Sequence, residues 1–322
     1  MNFRNIFSIN SDDAFQTAAL DIFRYQATTC EPYRRYINYL GILPEKVDKI
    51  EQIPFLPIEL FKSERIICGE PNYDIVFSSS GTTGTQQSHH YIKDVSVYET
   101  SFVKGFELFY GKPEQLNIFA LLPSYLEREG SSLIYMVEHL IAGSPDSGFF
   151  LYDHENLLKR LECRDVTKKT ILFGVSFALL DLAEQQPIKL GESVTVMETG
   201  GMKGRRKELP REELHRILCR NLGVSAIHSE YGMCECLSQA YSDGNGTFRS
   251  VPWMRILVRD LHDPFHYLGN NRRGGLNIID LANFNSCSFT QTQDLGMTYS
   301  DGQFSVEGRI DYSDIRGCNL LI

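Results

Sequence analysis

Six hydroxyls and two glycines fall within eight residues, Ser78-Ser79-Ser80-Gly81-Thr82-Thr83-Gly84-Thr85. Glycine lets a backbone turn sharply and approach a ligand closely. Successive N–H groups in such a turn make an anion-binding concavity, and serine and threonine hydroxyls add donors without bulk. The combination suits phosphate oxygens. It is neither of the common phosphate loops, since no Gly-Lys-Ser/Thr follows it and the G-x-G-x-x-G spacing is absent. A hydroxyl-rich surface loop is the plain alternative. The β-rich run DIVF before it and the extended QQSHHYI after it favour a tight loop held inside a fold.

Three further groups lie downstream. His228-Ser229-Glu230-Tyr231-Gly232-Met233-Cys234-Glu235 follows an apolar run. In it a tyrosine can stack on a base, a glycine admits close backbone approach, and Glu235 can hold Mg²⁺ between phosphates. A solvated carboxylate at a strand end is the competing reading. Asp294, in Thr292-Gln293-Asp294-Leu295-Gly296, can accept hydrogen bonds from ribose hydroxyls, and Gly308-Arg309-Ile310-Asp311 sets a cation and an acid at a turn. The cysteines at 30, 68, 163, 219, 234, 236, 287 and 318 are scattered, and Cys234-x-Cys236 has no second pair at zinc-site spacing. His89 and His90, adjacent on an extended run, face opposite sides rather than one metal.

These groups need elements to position them. Residues 11–40 read as helical, with Ser11, Asp12 or Asp13 as N-cap and Gly41 near the end. Ile53 to Phe61, with two prolines, suits an extended segment packed on a core. From Tyr73 onward, short β-rich runs (DIVF, LNIFALL, TILFGV, SVTVMETGG, VSAIHSEYG) alternate with amphipathic stretches such as SSLIYMVEHLIAG and REELHRILCRNLG. That alternation is the mark of an α/β fold with a mostly parallel sheet. After about residue 240 only short strands and turns are expected. The expected division is an N-terminal segment, 1–72, packed on an α/β core, 73–240, followed by a β-rich part, 241–322. Ligands of such folds sit in loops at the carboxyl ends of strands, and 78–85, 199–204 and 230–236 are the loops that fit.

Composition narrows the classes. The chain of 322 residues is 42% hydrophobic and 23% charged, with a net charge of −9, which argues against a nucleic-acid partner held through phosphates. No apolar run approaches the roughly 20 residues that span a bilayer, and the N-terminus MNFRNIFSINSDDAF has no apolar signal core, so a cytoplasmic protein is expected. In a reducing compartment the cysteines are expected to be free thiols.

The order and spacing of the four groups resembles the adenylate-forming superfamily of acyl-CoA synthetases. More narrowly, PFLPIELFKSERI, LLPSYLEREGSSLIYMVEHLI, ETGGMKGRRKELPREELH and GRIDYSDIRGC together look like the acyl-protein synthetase (LuxE) family. The resemblance implies a large adenylate-forming N-terminal domain, with mostly parallel sheets flanked by helices and a smaller β-rich part. It implies ATP and Mg²⁺, and a carboxylic acid substrate, fatty acyl in this family, converted to acyl-AMP. Residue by residue, Ser79, Ser80, Gly81, Thr82, Thr83, Gly84 and Thr85 would wrap the phosphates. Gly200 and Gly201 would lie along the adenine, with Tyr231 and Gly232 beside it and Met233 bordering the acyl site. Glu235 would bind the metal, Asp294 the ribose, and Arg309 the ribose or phosphate. Cys318 would carry the acyl group before a partner acyl reductase or acyl carrier protein takes it, with Cys234 as competitor. An acyl pocket could form at Leu121, Leu122, Pro123 and Tyr125, although each also suits the core.

Two departures stand out. The superfamily loop commonly ends with a lysine, whereas here Gln86, Gln87 and Ser88 occupy that stretch; Lys203, Arg205, Arg206 and Lys207 are candidates to replace it. The mobile C-terminal domain that brings a catalytic lysine in the typical superfamily enzyme is also expected to be absent, as it is in the acyl-protein synthetases. An acyl-CoA or aryl-CoA ligase of the phenylacetate-CoA ligase type, and a non-catalytic nucleotide-binding partner of a reductase, remain as alternatives.

Overall fold

Helix α1 (Asp12–Thr29) begins where the Ser11 hydroxyl accepts from Ala14 N at 3.2 Å, with Asp12 and Asp13 in the first turn. Both features satisfy or complement the unpaired N–H groups of a helix start. The helical stretch expected over 11–40 is broken at Cys30, and α2 (Glu31–Tyr39) carries Pro32 in its first turn. Proline lacks the N–H and its ring collides with the carbonyl four residues back, so one continuous helix is excluded. The computed structural model describes residues 3–79, 86–123, 130–144, 146–185, 188–201, 206–207 and 209–310. The expected extended segment stays extended only as far as β1 (Leu56–Pro57), after which α3 (Leu60–Ser63) forms. Next, β2 (Ile75–Ser78) and β3 (His89–Ile92) pair antiparallel in the register Ser78↔His89, and among the described residues they form a two-stranded sheet of their own. The hydroxyl loop therefore connects a two-stranded hairpin. It does not follow a strand of the parallel sheet, because four β-prone residues cannot reveal whether their partner is local or distant. Helix α4 (Val95–Tyr110) follows, its first N–H held by Asp74 at 2.9 Å.

The parallel sheet comes next. Strands β4 (Leu116–Leu121), β5 (Gly148–Phe149), β6 (Lys169–Val175), β7 (Val194–Thr199) and β8 (Ile227–Tyr231) lie in the order β5-β4-β6-β7-β8, all parallel. Strand β9 (Ala240–Ser242) joins β8 antiparallel, and β10 (Thr247–Ser250) lies beside β9. Helices α5 (Ser132–Ala142), α6 (His154–Glu162), α7 (Ser176–Gln185) and α8 (Arg211–Leu222) fall between the parallel strands in sequence. All six residues of β4 are buried, as expected of parallel strands covered on both faces. Leu214, Leu218 and Leu222 make the buried stripe of α8 at four-residue intervals. These strands and helices belong to one compact unit, Phe102–Met233 with Gln239–Phe248. Within it Leu121 and Leu122 are fully buried, so they fill the core; Tyr125 lies outside the described residues.

The other unit contains Met1–Ser101, Cys234–Ser238 and Arg249–Ile322. Its sheet is built on β11 (Met254–Arg259), β12 (Gly274–Asp280) and β13 (Phe289–Gly296), paired antiparallel, with β1 parallel on β13. Two short strands, β14 (Phe304–Ser305) and β15 (Gly308–Arg309), follow, and β15 also pairs with β13. The central strand β12 is buried along its whole length. Phe23 of α1 and Tyr33 of α2 pack on Phe289, with ring centroids 6.0 and 6.3 Å away. The N-terminal helices and the C-terminal strands thus share one core, a grouping made by contacts more than 250 residues apart rather than by the linear order of segments.

Candidate functional site

Glu235 is a buried acid, 6% exposed. The β2–β3 hairpin reaches it: Ser79 N donates to Ser88 O at 3.0 Å, Ser88 N donates to Ser79 Oγ at 2.9 Å, and the Ser88 side chain hydrogen-bonds Glu235. Burial raises the Glu235 carboxyl above its ordinary value; the hydrogen bond from Ser88 and the charges of Arg309 and Lys62 offset only part of this. Asp294 and Arg309 stand directly opposite on β13 and β15, with Arg309 Nε 3.7 Å from Asp294 Oδ1. The Arg309 side chain is 82% exposed, so its guanidinium keeps donors free for a ligand.

A carboxylate withdrawn from water beside a hydroxyl and two cations fits Mg²⁺ that arrives with phosphates, since Mg²⁺ takes one or two carboxylates and fills its shell with phosphate oxygens and water. It does not fit a self-sufficient metal cage: among the described residues no group of three or more His, Cys, Asp and Glu could hold an ion.

Lys62, on α3, was not singled out by the sequence reading. Its backbone carbonyl accepts from Gln86 Nε2 at 2.7 Å, which joins it to the stretch where the loop lysine is missing. The sequence carries it inside PFLPIELFKSERI, but nothing local there marks a cation whose charge acts on Glu235. Among the cations that were singled out, Arg206 is engaged by Asp181 and, at 2.8 Å, by Glu184. Lys203, Arg205, Ser80 to Thr85 and Cys318 lie outside the described residues. Cys234 is a poor nucleophile here, because burial and the adjacent Glu235 charge push its thiol well up and leave little thiolate. Burial pushes the His90 imidazole down to about 4, so it is neutral at pH 7.

The other unit presents the carboxyl ends of β7 and β8. Gly200 follows β7 with φ +63°, a left-handed conformation natural to glycine. Ser176 Oγ lies 2.6 Å from the Gly200 carbonyl and 2.9 Å from Glu198 Oε2, and so ties the turn to the strand. Gly200 and Gly201 are exposed. On β8, Tyr231 is 9% exposed and packs on Phe248, over which the Arg211 guanidinium lies. A Cβ on Gly232 would stand 2.3 Å from Glu230 Oε1, so residue 232 must be glycine for that carboxyl to keep its place. Met233 is half-buried.

Glu198 and Glu230 are both buried. Burial pushes Glu198 up, but His215 and Arg211, each 3.6 Å away, with Ser229 and Ser176 outweigh it, and the carboxyl is held below its ordinary value. Burial raises Glu230 to about 7, against a hydrogen bond from Thr199 and assisted by the Glu198 charge. The folded chain therefore keeps the Glu230 proton up to about pH 7, whereas the unfolded chain releases it near the ordinary glutamate value of 4.5. Stability is lost as pH rises through this window, by on the order of 3 kcal/mol. Glu230→Gln is expected to flatten the pH dependence of the urea midpoint between pH 5 and 8 and to raise that midpoint at pH 8. Parallel pH profiles for the two proteins would contradict the assignment.

No protein-family model and no curated protein sequence matches this chain. Solved structures do. Over 73% of this chain and 47% of the other, it is similar to ATP-bound MatB from Rhodopseudomonas palustris, with 17% identity and a TM-score of 0.55. Over 93% of this chain and 68% of the other, it is similar to 2-hydroxyisobutyryl-CoA ligase in complex with 2-HIB-AMP and CoA, with 13% identity and a TM-score of 0.70. The fold is that of the adenylate-forming ligases. The chain spans about half the length of MatB. Among the described residues no helix is long and apolar enough to cross a membrane.

Proposed function

We propose that this chain activates a carboxylic acid with ATP and Mg²⁺ to give acyl-AMP and pyrophosphate, and passes the acyl group to a protein thiol. The observation that carries the first half is Glu235: a buried carboxylate hydrogen-bonded by Ser88 and under the charges of Arg309 and Lys62, in a fold shared with ATP-bound MatB. A carboxylate oxygen of the substrate attacks the α-phosphorus, the bond to the pyrophosphate oxygen breaks, and pyrophosphate leaves. Bound Mg²⁺ would neutralise phosphate charge. Glu235 would hold it, Lys62 and Arg309 would meet phosphate oxygens, and Asp294 would accept from the ribose hydroxyls. Gly200, Gly201 and Tyr231 are the residues proposed for the adenine. Catalysis of this kind is mostly positioning and charge stabilisation.

The second half rests on the resemblance to acyl-protein synthetases and on Cys318. Its thiolate would attack the acyl carbonyl carbon and expel AMP, giving a thioester; Arg316 nearby in sequence favours the thiolate. A second reading, coenzyme A as acceptor, is favoured by the similarity to a structure described as a CoA ligase with CoA bound. Radiolabelled fatty acid, ATP and Mg²⁺ separate the two. The proposal expects label on the protein that neutral hydroxylamine removes and that Cys318→Ser abolishes. Label appearing only on added coenzyme A would transfer the reading to the CoA ligase.

A further inference from the structure

The loop that carries Glu235 belongs to no helix or strand, yet it is mostly buried. Buried backbone groups outside regular structure need partners elsewhere, and here side chains supply them in sequence. His90 Nδ1 lies 2.8 Å from the Cys234 carbonyl. A carbonyl only accepts, so Nδ1 carries the proton. Asn283 Nδ2 donates to the Glu235 carbonyl at 2.7 Å, which for the same reason fixes the orientation of its amide. Asp280 Oδ2 accepts from Leu237 N at 2.7 Å and Ser238 N at 3.0 Å. All three side chains are at most 1% exposed. Asp280 ends β12 and caps the short 3-10 turn Leu281–Asn283, so one rigid corner supplies two of the three anchors. That corner is in turn tied to α1, where Gln26 donates to the Asn283 carbonyl at 2.9 Å and accepts from Ser288 N at 3.0 Å.

We infer that His90 and Asn283 are positioning residues for Glu235, holding the carbonyls of residues 234 and 235 so that the carboxylate is set for the metal before Mg²⁺·ATP binds. This rests on the metal role proposed for Glu235. Neither side chain contacts that carboxylate in the hydrogen bonds above; both act through the backbone that bears it. Supports of this kind are commonly worth about 10–100-fold in metal affinity.

Calorimetric titration of the full chain with ATP, in the presence and absence of Mg²⁺, tests this. The quantity read is the factor by which Mg²⁺ tightens ATP binding. His90→Phe and Asn283→Leu are each expected to reduce that factor about 10-fold and to leave Mg²⁺-free ATP binding unchanged. His90→Asn, whose amide nitrogen can take the place of Nδ1, is expected to restore it. A purely structural role would lower the urea midpoint of the same variants and leave the factor untouched; that result, with Glu235→Gln abolishing the factor, overturns the inference alone. If Glu235→Gln also leaves the factor intact, the metal role itself fails and the inference fails with it. Should His90→Phe not fold, Asn283→Leu and His90→Asn decide the matter.

Discussion

Glu235→Gln is expected to lower Mg²⁺-dependent acyl-AMP formation about 10²–10³-fold, the usual loss when one electrostatic partner of the transition state is removed. The apo protein should at the same time unfold at an equal or higher urea concentration. The two effects have one origin. Burial lifts the Glu235 carboxyl above its ordinary value even with Ser88, Arg309 and Lys62 around it, so without a metal the ionised form lowers folded-state stability at neutral pH. Glutamine keeps the shape and removes the charge. Loss of activity with retained or increased stability marks a residue kept for function. Full activity in the variant, or a sharply lower midpoint, would show that Glu235 serves the fold instead.

Asp280→Ala is expected to produce the largest loss of stability, about 3–4 kcal/mol. Its carboxylate accepts from Leu237 N, Ser238 N, Ala282 N and the Ser238 hydroxyl. Truncation orphans the three backbone donors at once inside the core and leaves the Ser238 hydroxyl with Ser101 Oγ, 3.0 Å away. Burial raises the Asp280 carboxyl above its ordinary value, so removing a buried charge returns part of this, but three unsatisfied backbone donors outweigh it. Asp280→Asn retains one acceptor oxygen and should lose about half as much. Urea unfolding at pH 7 measures both variants; a change below about 1 kcal/mol for alanine would mean that water reaches the loop and that the corner does not hold it.

What was legible in the sequence follows the range of the forces involved. The apolar runs of β4, β6, β7 and β8 and the Leu214–Leu218–Leu222 stripe of α8 are local patterns, and they mark the parallel layer correctly. So is the Ser11 cap. The partner of a short strand is not local: DIVF reads the same in a hairpin as in a parallel sheet, and only the β2–β3 register separates them. Glu235 was singled out by its motif, but its supports were not. His90 lies 144 residues from Cys234, and Asn283 lies 48 residues from Glu235. No spacing rule connects them, and a buried histidine next to another histidine reads as one more strand residue. Lys62 was hidden for a related reason, since its charge matters only through the fold that brings it near residue 235. Arg206 shows the converse. It stands in a basic run beside a glycine turn, yet the carboxylates of α7 engage it.

The central claim is that this chain forms acyl-AMP, and acid-dependent exchange of labelled pyrophosphate into ATP measures that step without reference to the final acceptor. The purified chain would be assayed with Mg²⁺, ATP and a panel of fatty and aryl acids, with coenzyme A omitted. Exchange that requires both an acid and Mg²⁺, and that Glu235→Gln removes, is the predicted result. ATP binding with no exchange for any acid would contradict the claim and leave a nucleotide-binding protein that activates nothing.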